Sequence, residues 1–131
     1  MNIKKLQNYW LDGYKDALLT AEKLYEAKRY HHALFFGHLA LEKILKAVVV
    51  KQTKEHAAAT HDLVKLVRDT ESEISPEILN DLAEINKFNI RARYDNYQLA
   101  FYKKATKEYA AKWISIIKQI ALWLEQKLQH Q

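Results

Sequence analysis

The sequence predicts an all-α protein: an antiparallel up-and-down helical bundle of four main helices plus a short extra helix, in a single domain over residues 1–131. Three observations lead there. Two glycines and one proline are too few for the many tight turns of an all-β chain. Apolar side chains return at three- and four-residue steps over long stretches. Hydrophobic residues make up 49% of the chain and charged residues 28%, a globular balance unlike that of a disordered segment.

The first helix is expected from about Lys4 to Ala27, where Ile3, Leu6, Trp10, Tyr14, Ala17, Ala21 and Leu24 share one face. Gly13 weakens it locally, by roughly 1 kcal/mol relative to alanine. The second, Tyr30 to about Gln52, is apolar around most of its circumference, so it belongs in the middle of the bundle. Its Ala33, Gly37 and Ala40 leave room for another helix axis to come close. Residues Lys54 to Thr60 break the pattern, and Thr60 is placed to cap a short helix from His61 to about Arg68. Ser75-Pro76-Glu77 starts a helix expected to run to about Lys87, with Ile78, Leu82 and Ile85 inward. From Phe88 to Tyr102 the turn formers Asn89, Asp95 and Asn96 and unevenly spaced aromatic residues predict an ordered but irregular connection. The last helix, about Thr106 to Gln129, carries two adjacent apolar stripes, a face wide enough for two helical neighbours or a second subunit.

Composition also removes chemistry. Without cysteine, disulfides, thiolate zinc sites, iron–sulfur centres and cysteine nucleophiles are excluded. No stretch approaches the roughly 18 apolar residues of a membrane span, and Met1 to Leu11 lacks a leader pattern, so a soluble cytoplasmic protein is expected. His31 and His38 are seven positions apart, too far to share an ion without a third ligand, so neither a metal nor a cofactor is expected. The formal net charge is +5, unevenly spread: residues 54–86 carry three basic and eight acidic side chains, residues 87–131 nine and three. That asymmetry suits either an anionic ligand or complementary faces on one bundle. The basic residues Lys103, Lys104, Lys107, Lys112 and Lys118 form no dense stripe for a nucleic-acid groove.

Three stretches together resemble the HEPN family, the higher eukaryote and prokaryote nucleotide-binding domains. They are the helix Tyr30 to Ala47 with Ala40, Glu42, Lys43 and Lys46, the following His61-Asp62-Leu63, and Arg91-Ala92-Arg93-Tyr94 before the last helix. The resemblance implies a helical bundle, a homodimer, and a minimal nucleotidyltransferase as partner, the two acting as a toxin–antitoxin pair or a two-subunit transferase. Active members are metal-independent endoribonucleases with an Arg, four to six residues, then a His. Such cleavage needs a group to take the proton of the attacking 2′-hydroxyl and cations to stabilise the phosphorane. Here Asn96 stands where the histidine is expected from Arg91, and no His lies between Arg68 and Gln129. An amide hydrogen-bonds but cannot shuttle a proton near neutral pH.

No catalytic residue is therefore assigned, and a non-catalytic nucleotide-binding or substrate-presenting role is expected. The candidate ligand-binding residues are Arg91, Arg93, Tyr94, Asp95, Asn96 and Tyr97, with Glu42, Lys43, Lys46 and His61. Two guanidiniums near aromatic rings can hold a phosphate and stack a base; the same tyrosines can equally plug the bundle's end while Arg93 pairs with an acid. Glu42, Lys43 and Lys46 can line a charged pocket, or Glu42 and Lys46 can form an ordinary i,i+4 pair. The alternatives in function are a ribonuclease toxin with a noncanonical base, and a stand-alone nucleotide or RNA binding module.

Overall fold

The computed structural model describes residues 2–93 and 95–129, leaving out the side chains of residues 90–97. Four long helices, α1 (Ile3–Glu26), α2 (Tyr30–Thr53), α4 (Pro76–Arg93) and α6 (Lys107–Gln129), form an all-α bundle with the short α3 (Leu63–Arg68) and α5 (Asp95–Lys104). Asn2 starts α1, its Oδ1 accepting from the Lys5 amide at 3.0 Å. At the other end Lys28 takes a left-handed φ of 62° and Arg29 N donates to Leu24 O at 2.8 Å, which turns the chain directly into α2. The two helices are antiparallel. Tyr25 meets Tyr30 near the turn, Lys43 covers Gly13, and Lys46 reaches Trp10 further along.

α2 is the central element, buried at all but a few positions from Ala33 to Val50, as its all-round apolar pattern requires. It packs on α1, α3, α4, α5 and α6. Gly37 marks the close approach expected of the small-residue stretch: a Cβ there would come within 2.7 Å of Ile117 Cδ1 on α6.

Two expectations are corrected. The short helix begins at Leu63, and its cap is Asp62, whose carboxylate accepts from Val64 N and Lys65 N at 3.0 and 3.3 Å. Thr60 instead accepts from the Asp62 amide, fixing the approach to that cap. The irregular connection expected over Phe88 to Tyr102 is helical: α4 continues to Arg93 and α5 occupies Asp95–Lys104. The physical reason is burial. Phe88 extends the α4 stripe of Leu82 and Ile85 into the core, and Phe101 stacks on it at 5.7 Å, with both rings essentially inaccessible to water. Trp113 and Tyr109 of α6 meet Phe88 edge-on at 5.8 and 6.3 Å, so one aromatic cluster ties α4, α5 and α6 together. Asn89, read as a turn former, is buried inside α4. Among the described residues no helix is long and apolar enough to cross a membrane.

Candidate functional site

Two polar constellations stand out from this frame. The first is inside α2. His38, Glu42 and Lys46 follow one another at four-residue steps, so a single polar stripe runs through an otherwise apolar helix. Glu42 and Lys46 form the expected i,i+4 pair, with Nζ 3.2 Å from Oε2, but their side chains are only 6% and 8% exposed. It is a core ion pair, not a surface one, and removal of both charges from water must be offset by further contacts. Those contacts are present. The other carboxylate oxygen lies 2.9 Å from His61 Nδ1, and Lys46 Nζ sits over the Trp10 ring at 4.9 Å.

His61 is brought there by the α2–α3 link. His38 donates from Nε2 to the His61 carbonyl at 3.0 Å, while Asn86 of α4 accepts from Leu63 N at 2.8 Å and donates to Asp62 Oδ1 at 2.8 Å. The link is thus pinned from α2 and α4 at once. More than half of the His61 side chain faces solvent, so its imidazole hangs from a buried carboxylate at the bundle's surface. Lys43, the fourth sequence candidate on this segment, points elsewhere, its stem lying against Gly13 of α1.

His38 is fully buried, and burial above all holds its imidazole below the usual histidine range, against the partial support of Glu42. The group is consequently neutral in the folded chain at pH 7. Because the unfolded chain binds this proton more readily, folding stability should fall as pH drops below about 6.5, with a slope of at most about 1.4 kcal/mol per unit for one proton. Urea melts at pH 7.5 and 5.5 check this: the loss should shrink in His38→Gln, and an equal loss in both proteins would remove His38 as its source.

The second constellation lies at the start of α2. His31 and His32 stack at 3.9 Å, and Tyr102 of α5 meets His31 edge-on at 5.0 Å. With Gln98 and Leu99 they line a surface pocket of about 490 Å³. Partial burial, then the neighbouring cation Arg29, lowers both imidazole pKa values, and His32 lowers that of His31 further. Both rings are therefore neutral near pH 7, planar and able to accept a hydrogen bond. Tyr102 is largely exposed, its face open to a ligand.

Of the sequence candidates, the structure brings Glu42, Lys46 and His61 together and sets Lys43 apart. The side chains of Arg91, Arg93, Asp95, Asn96 and Tyr97, and Tyr94 altogether, lie outside the described residues. Sequence reasoning missed His38 as the partner of the His61 carbonyl, although its four-residue spacing from Glu42 was a signal. It also missed the pairing of His31 and His32 with Tyr102, for which no local pattern exists.

An all-α bundle organised around one central, nearly wholly buried helix with a charged stripe is the class of protein defined here. The profile of the HEPN domain matches residues 7–127, and the chain belongs to that family. Two solved structures share the fold. TT1696 from Thermus thermophilus superposes with a TM-score of 0.80 at 20% identity, over 92% of this chain and 97% of its own. ST0689, an archaeal HEPN homologue, gives 0.73 at 20% identity, over 92% and 96%. No curated protein matches.

Proposed function

We propose that this HEPN chain is a non-catalytic, cytoplasmic single-domain bundle that binds a nucleotide and serves a minimal nucleotidyltransferase as its binding or substrate-presenting partner, in a toxin–antitoxin type pair. The observation that carries the reading is Asn96 at the position of the ribonuclease histidine, with no His between Arg68 and Gln129 to replace it along the chain. The pocket of His31, His32, Leu99 and Tyr102 adds support, because its rings and size suit a stacked base. Arg91 and Arg93 belong to the helix that precedes α5, on the segment from which a phosphate would be held. Leu19 and Leu122, exposed on α1 and α6, offer apolar surface for a second copy, in keeping with a homodimer.

The ribonuclease reading keeps one specific observation in its favour, the imidazole pair beside α5. Calorimetric titration with ATP and RNA cleavage assays separate the two. The expected result is saturable ATP binding that weakens about 5- to 100-fold in Tyr102→Ala, from the loss of base stacking, and intact RNA. RNA cleavage abolished by Arg91→Ala or His31→Ala would overturn the non-catalytic reading. Failure to co-purify with a nucleotidyltransferase encoded alongside would remove the partner role.

A further inference from the structure

The fold fixes His61 twice, by its backbone and by its ring. Its carbonyl accepts from His38 Nε2 at 3.0 Å, and its Nδ1 lies 2.9 Å from Glu42 Oε1. Because Lys46 Nζ, 3.2 Å from the other oxygen, pairs with Glu42 as a carboxylate, that group can only accept, and the imidazole proton sits on Nδ1. Nε2 keeps its lone pair. No hydrogen bond among the described residues engages that nitrogen, on a side chain that is 56% exposed.

Stability alone does not account for this arrangement. Burying Glu42 and Lys46 is costly, and an apolar pair of similar volume would fill the same space at least as well. What the charged pair adds is one imidazole at the surface with its tautomer and direction set, the condition under which a histidine nitrogen serves as a nucleophile.

The same residues prepare the ring for an anionic electrophile. A carboxylate alone behind the imidazole would repel an approaching anion, but Lys46 neutralises it. Asp62, the adjacent acid, is committed elsewhere: its Oδ1 accepts from Val64 N, Lys65 N and Asn86 Nδ2.

We infer that His61 Nε2 is a phosphoryl acceptor, modified by a small donor that carries its phosphoryl group on nitrogen, a phosphoramidate. The Nε2 lone pair forms the new N–P bond as the donor's N–P bond breaks, and the electron pair of that bond leaves with the donor nitrogen, already protonated, as a neutral amine. The ring becomes an imidazolium. Its Nδ1 proton is held by Glu42 and then released to water, leaving a neutral ring that bears the phosphoryl group. Glu42 acts as a positioning residue, and Lys46 positions Glu42. Exchange of one N–P bond for another needs little driving force, which suits a single side chain at the surface.

The test is treatment of the full chain with potassium phosphoramidate near neutral pH, followed in time by intact mass, by peptide mapping under conditions that preserve acid-labile adducts, and by phosphorus NMR. His56 is the internal reference, an exposed histidine whose ring has no carboxylate partner among the described residues. The expected result is a first phosphoryl group on His61 Nε2, formed about 10- to 100-fold faster than that on His56. His61→Gln should lose this early adduct and leave the rate at His56 unchanged. Glu42→Leu with Lys46→Met removes the pair without stranding a charge, so this double variant should still melt cooperatively while its His61 rate falls to that of His56. A residue that merely pins the link would show no such difference between the two histidines. Equal rates at His61 and His56 in the unaltered chain, a measurement that needs no variant, would overturn the inference. So would a first adduct on another histidine, or an undiminished His61 rate in the folded double variant.

Discussion

Replacing Glu42 by leucine should destabilise the bundle by about 3–5 kcal/mol, and adding Lys46→Met should recover most of that loss. The single substitution strands an ammonium group in the core whose other neighbour is the Trp10 ring. A cation–π contact of about 1–2 kcal/mol does not offset the desolvation of an unpaired charge. In the double variant no charge remains buried, and His61, already more than half exposed, exchanges its carboxylate partner for water. Lys46→Met alone should cost less than Glu42→Leu, since the carboxylate keeps His61 as a partner. Urea unfolding of the three variants measures the coupling. If Glu42→Leu costs under about 1 kcal/mol, Lys46 escapes to solvent along its aliphatic stem and the pair is energetically a surface one.

The contrast between α2 and the α4–α5 region shows where sequence reading succeeds. α1, α2 and α6 were legible because each buries a face whose period is intrinsic to the helix, and Gly37 announced a close approach that Ile117 fills. The α4–α5 region was not, because its aromatic residues belong to two helices meeting over α6, and neither helix's spacing is visible when they are read as one run. Asn89 illustrates the same limit: its turn preference is a local bias that burial between helices overrides. The Glu42–Lys46 pair was visible as a spacing, but its burial was not, since that depends on α1 laying Trp10 across it. Asn86, which pins the α2–α3 link from 24 positions beyond Asp62, carries no local signal at all.

Phe88→Ala should cost about 3–5 kcal/mol and, more tellingly, should release α5 while the rest of the bundle stays folded. Among its described side chains α5 buries chiefly Phe101, with Ala105 just beyond its last turn, and the ring under Phe101 is that of Phe88. Outside this cluster the described contacts of α5 include a long Lys104–Glu84 ion pair at 4.0 Å and the meeting of His31 with Tyr102, both partly exposed and individually weak. Removing the Phe88 ring therefore takes away the main reason for a ten-residue helix to exist, since so short a segment is marginal without tertiary contacts. Leu66→Ala supplies the control, a fully buried position on α3 with a similar expected global cost but no ring in the cluster. Hydrogen exchange at a temperature where both variants remain folded should show α5 amides losing protection in Phe88→Ala and keeping it in Leu66→Ala. The pocket of His31, His32 and Tyr102 depends on α5 for one wall, so ATP binding there should weaken in the first variant and persist in the second. Equal α5 protection in the two would mean that this helix is anchored independently of the aromatic cluster.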